Sequence, residues 1–229
     1  MSERCGYFVT GTDTGVGKTL VTLGLMQLLQ QQGRVVAAMK PVAAGCEMTP
    51  GGLRNADALL LAQQASVEGD YALVNPYAFA PAIAPHIAAL QSGTSIDTGK
   101  IVNIYNVLSN TADCVLVEGV GGWQVPLNDE QTLADLARLL GLEVILVVAI
   151  RLGCLNHALL TAESVTGAGC TLAGWVANLV APQRECAQEN VTALKSRISA
   201  PLLGVLPEIQ APCPREVAEN LRLPPSIQG

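Results

Sequence analysis

Residues 11–19 read G-T-D-T-G-V-G-K-T and follow directly on the apolar segment Tyr7–Thr10. A strand that empties into a glycine-rich loop and then a helix is the βα turn of a parallel sheet. Gly15 and Gly17 lack a Cβ, so the backbone can turn sharply and aim successive N–H groups at one point. Those amides, with the N-terminus of a helix beginning near Lys18, form a cradle for phosphate. Lys18 is placed to reach β- and γ-phosphates, and the Thr19 hydroxyl to ligate Mg²⁺. One detail departs from the usual pattern: five residues, not four, separate Gly11 from Gly17. The expected ligand is a nucleoside triphosphate.

The rest of the chain fits that turn. Short apolar runs recur at Tyr7–Thr10, Val35–Met39, Cys114–Val117, Val144–Ile150, Leu172–Ala177 and Leu202–Leu206. They do not alternate with polar residues, which is how strands covered on both faces of a parallel sheet read. Helical patterns lie between most of them: Leu20–Gln32 ending at Gly33, Thr132–Leu140 ending at Gly141, Leu155–Thr166 and Glu185–Ile198. The expected fold is α/β, a doubly wound, mostly parallel sheet with helices on both faces, and with ligands at the carboxyl ends of the strands. Pro41–Ala112 is longer than one crossover and should cover that edge. A single domain over residues 1–229 is expected, with an irregular tail after about residue 208.

Charge and cysteine usage narrow the function. The net charge is −6 and the chain holds only 13 Lys and Arg, which argues against a nucleic-acid surface. Lys18 and Lys40 belong to this scarce set. The seven cysteines form no C-x-x-C pair and their number is odd, which argues against a zinc site or a disulfide framework and for small, mostly buried thiols. No signal peptide is visible, and Val144–Ile150 is too short to span a bilayer. A cytoplasmic protein without membrane contact is expected.

Several polar groups follow strands. Lys40 is either a surface charge or an anion ligand, and its place at the carboxyl end of a strand favours the ligand. Asp57 sits early in a helix, where an acidic residue is favoured for local reasons alone. Glu118 ends the Cys114–Val117 strand and opens E-G-V-G-G-W, the place for a second Mg²⁺-binding carboxylate. Gly153–Asn156 begins a helix whose N–H groups either bind an anion or make an ordinary helix start. Asn178 either reads a base edge or closes a turn. His86 and His157 lack a partner nucleophile motif and read as structural.

Taken in order, G-T-D-T-x-V-G-K-T, K-P-V-A, L-R-N-x-D-A-L, V-E-G-x-G-G-W, L-G-C-L-N-H-A-L-L-T-A, G-W-V-A-N and A-P-L-L-G-x-L-P resemble the dethiobiotin synthetase family from about residue 7 to 207. The resemblance implies ATP- and Mg²⁺-dependent closure of a urea ring on 7,8-diaminopelargonate and CO₂. It implies catalytic roles for Lys40, Lys18 and Thr14. It implies nucleotide contacts from Gly15, Val16, Gly17, Lys18, Thr19, Leu20, Asp57, Glu118, Gly121, Asn178 and Pro207, and metal contacts from Thr19, Asp57 and Glu118. Lys40 and Ala44 would face the substrate. Gly153, Cys154, Leu155 and Asn156 would bind its distant carboxylate from the neighbouring subunit of a homodimer. Two positions depart from the family pattern. Ala44 replaces a Ser, removing a hydrogen bond of about 1 kcal/mol, and Leu179 replaces a polar residue beside the base. The alternatives are an ATPase switch of MinD/ParA type and another ATP-dependent ligase of the superfamily. The first typically carries an extra loop Lys that residues 11–17 lack. A cobyrinate-synthase type brings a glutaminase domain for which 229 residues leave no room.

Overall fold

The computed structural model describes residues 5–180, 186–208 and 213–227. Strand β1 (Cys5–Gly11) leads through the glycine loop into α1 (Lys18–Gln31) and β2 (Val36–Met39). An insertion follows, with β3 (Val42–Ala44), the hairpin of β4 (Glu47–Thr49) and β5 (Gly52–Arg54), and α2 (Ala56–Gln64). It continues through α3 (Tyr71–Val74), β6 (Tyr77–Phe79) and α4 (Pro85–Gln91). Helix α5 (Thr98–Thr111) returns the chain to β7 (Cys114–Glu118). Regular alternation then runs α6 (Leu133–Leu140), β8 (Glu143–Ala149), α7 (Cys154–Gly167) and β9 (Leu172–Asn178). It ends with α8 (Ala187–Lys195), β10 (Leu202–Leu206) and α9 (Pro214–Ala218).

The six apolar runs form one sheet in the order β10-β9-β8-β1-β7-β2, every neighbouring pair parallel. Why the runs are uninterrupted is visible in the packing. Val9, Ile145 and Val147 face one layer with Val21, Leu25 and Leu29 of α1. Phe8, Val115 and Val117 face the other with Ile101 of α5 and Leu136 of α6. Leu146 and Val148 pack with Ala158 of α7 and Leu194 of α8. Both faces of the central strands are covered, so polar residues are kept to or near the strand ends. Each fully buried Val, Leu or Ile side chain contributes about 1.5–3 kcal/mol.

Local signals set the helix limits. Asn55 caps α2 by accepting from the Ala58 N–H at 3.2 Å. Thr132 and Asp135 form a capping box on α6, and Gly141 ends it in the left-handed region. Register fixes the heights of the strand ends. Val9 lies opposite Glu118 on β7, and Gly11 opposite Val147 on β8. The glycine loop therefore starts just beyond Glu118, on the strand next to it.

Three expectations need revision. Cys5 and Cys114 are not free thiols: they are register partners on β1 and β7 and form a disulfide. Their separation of 109 residues hides a Cα–Cα distance of 4.6 Å that only strand pairing creates. Among the other cysteines, Cys46 and Cys154 are buried, Cys170 is half-buried, and Cys186 and Cys213 are exposed. The tail beyond residue 208 carries α9, whose Val217 joins the α1 core. Gly24 admits it, since a Cβ there would stand 2.6 Å from Val217 Cγ1. Helix α8 begins at Ala187, and Glu185 lies outside the described residues. Among the described residues no helix is long and apolar enough to cross a membrane.

Candidate active site

The loop between β1 and α1 is held from several sides. Gly15 and Gly17 have φ of 72° and 94°, the left-handed region that favours glycine. The Thr12 N–H donates to the Val147 carbonyl at 3.1 Å. Asn178, buried at the end of β9, donates its Nδ2 to the Val16 carbonyl at 2.9 Å. A Cβ on Gly17 would run into that amide. Asp13 accepts from the Thr14 N–H at 2.7 Å and pairs with the Arg151 guanidinium at 2.9 Å.

Behind the loop lies a cavity of about 400 Å³. Its wall takes Thr14, Gly15, Gly17, Lys18, Thr19 and Leu20 from the loop and α1, and Lys40 from the end of β2. The insertion adds Ala44, Asn55 and Asp57, and the segment from the end of β7 adds Glu118, Val120 and Gly121. Among the described residues, no Ser, Cys or His lines it.

Its electrostatics centre on two lysines and two carboxylates. Lys40 Nζ lies 2.5 Å from Asp57 Oδ2 and 2.5 Å from Glu118 Oε1. Burial works against its charge, but the Glu118 and Asp57 carboxylates outweigh burial and hold its pKa above the ordinary lysine value. Lys18 Nζ donates to the carbonyls of Asp13 at 2.9 Å and Gly121 at 2.7 Å. Burial dominates there, and repulsion from Lys40 adds to it, so the Lys18 pKa falls to about 8 despite Glu118. Glu118 is fully buried. Its Oε1 also accepts from the Thr19 hydroxyl at 2.9 Å, while its Oε2 is buried without a partner. A buried carboxylate oxygen lacking any donor is costly unless a cation reaches it.

The match to known proteins decides the family. The chain is 51% identical to the ATP-dependent dethiobiotin synthetase BioD of Pseudomonas aeruginosa strain UCBPP-PA14, covering 96% of each chain. It is 48% identical to the enzyme of the same name from Cellvibrio japonicus over the full length of both. The chain belongs to the dethiobiotin synthetase family. The BioD 1 enzyme of Escherichia coli O157:H7 is 51% identical over 90% of this chain and 91% of its own. A family model described as an AAA domain matches residues 5–212. Among solved structures, MinD with Mg-ADP from Pyrococcus horikoshii shares the fold at 22% identity, with a TM-score of 0.51 over 90% of this chain and 82% of that one. The receptor FtsY from Elizabethkingia anophelis does so at 17% identity and a TM-score of 0.53, over 96% of this chain and 65% of that one.

Within this family member, the structure gathers Thr14, Gly15, Gly17, Lys18, Thr19, Leu20, Lys40, Ala44, Asp57, Glu118 and Gly121 around one cavity. Other sequence candidates lie elsewhere. The Val16 side chain is buried in the core, leaving only its backbone to face the loop. Asn178 stands under the loop, and Pro207 is exposed beyond β10. Gly153 opens α7 with φ of 88°, Cys154 is buried, Leu155 is half-buried and Asn156 is exposed. None of these four lines the cavity. Asn55, Val120 and the Asp13–Arg151 pair escape a sequence reading. Arg151 directly follows an apolar run, a signal that Lys40 shares, but its partner is 138 residues away.

Proposed function

We propose that this protein catalyses ATP-dependent closure of a cyclic urea on 7,8-diaminopelargonate, yielding dethiobiotin, ADP and phosphate. One amine nitrogen adds to CO₂ and loses a proton, giving a carbamate. A carbamate oxygen attacks the γ-phosphorus as ADP leaves. The second amine then attacks the carbamoyl carbon and loses a proton, and phosphate departs with that oxygen. No protein nucleophile is needed, which suits a wall without Ser, Cys or His among the described residues. The observation that carries the reading is the convergence of Lys18 and Lys40 with phosphate-loop amides on one cavity, since phosphoryl transfer depends on positioning and charge neutralisation.

Each residue has a part in this scheme. Amides of Gly15–Thr19 and Lys18 hold the phosphates, and Leu20 flanks the nucleotide. Thr14 and Lys40 hold the carbamate, with Ala44 beside them. Asn178 and backbone near Pro207 face the adenine. Thr19, Asp57 and Glu118 would hold Mg²⁺, and the partnerless Glu118 Oε2 fits that role. No group of three His, Cys, Asp or Glu suited to a metal occurs among the described residues. This fits an ion held by one or two carboxylates together with phosphate oxygens. Bound there, Mg²⁺ would supply charge neutralisation of the triphosphate.

On the strength of the family resemblance, the substrate's remote carboxylate is assigned to Gly153–Asn156 of a second copy; these residues lie outside the cavity of their own subunit. Leu152 beside them is 91% exposed, as a residue covered in a homodimer would be. The test is phosphate release from Mg-ATP and bicarbonate, with and without the diamine, with product mass measured. Diamine-dependent release matched by dethiobiotin supports the reading; ATP hydrolysis indifferent to the diamine refutes it.

A further inference from the structure

Lys40 and Asp57 reach the cavity from different elements, and a hydrogen-bonded relay beneath the cavity joins their backbones. The Lys40 N–H donates to the Val74 carbonyl at 2.7 Å, and its carbonyl accepts from Asn75 Nδ2 at 2.7 Å. Asn75 is 4% exposed, and its Oδ1 accepts from the Tyr71 hydroxyl at 3.1 Å. That same hydroxyl accepts from the Asn55 N–H at 2.9 Å. Asn55 is the N-cap of α2, and Asp57 stands in the first turn of that helix. The Tyr71 ring is itself braced, with the Arg54 guanidinium 4.2 Å from its centroid.

We propose that Tyr71 and Asn75 are positioning residues for the reaction, acting by fixing the separation between Lys40 and Asp57. A lysine on a flexible four-carbon stem is placed only as well as its backbone. Here one phenol, used as both donor and acceptor, and one buried amide tie the lysine's carbonyl to the cap of the helix that carries the carboxylate. Neither residue lines the cavity, so their effect passes through Lys40 and Asp57. The turnover readout rests on the ring-closing reading; a second readout does not.

The test is Tyr71→Phe, which keeps the ring over Arg54 and deletes the hydroxyl. In the diamine-dependent assay kcat should fall about tenfold while KM for the diamine moves less than about twofold, the mark of misplacement without lost binding. The Mg²⁺ concentration that half-saturates binding of a fluorescent ATP analogue should also rise several-fold, because Asp57 is displaced. Unchanged kcat and unchanged Mg²⁺ dependence in a folded variant, whatever its melting temperature, would show a purely structural role and overturn the proposal. Should Tyr71→Phe not fold, Asn75→Ser, too short to hold the Lys40 carbonyl, is read in the same two assays with the same expected and overturning results. Wild-type protein runs alongside. Wild type without diamine-dependent turnover counts against the ring-closing reading, and the Mg²⁺ titration still decides the relay.

Discussion

Two glycines of the phosphate loop, both in the left-handed region, should respond very differently to the same substitution. Gly15 has φ of 72° and nothing within 4 Å of a would-be Cβ. Gly15→Ala therefore meets only backbone strain of about 1–2 kcal/mol, partly offset by about 0.4–1 kcal/mol from a stiffer unfolded chain. Gly17 has φ of 94°, and its Cβ would collide with Asn178 Nδ2. Gly17→Ala meets the same strain and must also push the amide off the Val16 carbonyl. That leaves a buried donor and acceptor unpaired, at about 1–3 kcal/mol. The difference between the variants should be about 2 kcal/mol, roughly a thirtyfold ratio in folding constants. Urea denaturation of both, with Asn178→Ala alone and combined with Gly17→Ala, separates the contributions. Removing the amide should recover the collision but not the strain, giving a coupling of about 1–2 kcal/mol. Equal losses for the two alanines, or strict additivity with Asn178→Ala, would refute the reasoning.

Three further outcomes follow from the cavity. Glu118→Gln removes a fully buried charge that faces Lys40, which keeps Asp57 as its partner; it should cost about 1.5–3 kcal/mol of stability and raise the Mg²⁺ requirement, and a titration with unchanged metal dependence would take Glu118 out of the metal site. With its pKa near 8, Lys18 is neutral in a growing fraction of molecules as pH rises through 8. Mg-ATP binding should take up that fraction of a proton, so affinity should fall as pH rises past 8; calorimetry in two buffers reads it, and Lys18→Arg should abolish it. For folding the sign is opposite: the buried ammonium's cost is full below pH 8 and is relieved as pH climbs toward 10.5. Ala44→Ser adds a hydroxyl to the cavity wall and should leave turnover equal or higher, and a large loss in the phosphate-release assay would mean the wall is packed there.

The sheet was legible because burial on both faces writes itself into each strand as an unbroken apolar run. The insertion was less so. Its strands are three residues long, too short to show a period, and their pairing is a tertiary result. Helix α9 has five residues and owes its place to the flat surface at Gly24. For the site, glycine-loop chemistry is local and can be read from spacing. The meeting of Lys40 with Asp57 and Glu118 joins residues 17 and 78 positions away; a parallel sheet brings such groups together without leaving a spacing rule. The Cys5–Cys114 bond and the Asp13–Arg151 pair were hidden for the same reason.

Lys40 also bears on the order in which ligands arrive. This chain's own ammonium, on Lys40, sits between Asp57 and Glu118, where a free divalent ion would otherwise find two repelling anions. A bare ion must compete with a tethered cation that is always present at high local concentration. An ion already wrapped in triphosphate brings anionic oxygens of its own, which can draw the lysine away from the carboxylates. In the proposed metal site the pair of carboxylates would thus favour the metal–nucleotide complex over its separate parts, and a chelator added without nucleotide should change the protein's stability little.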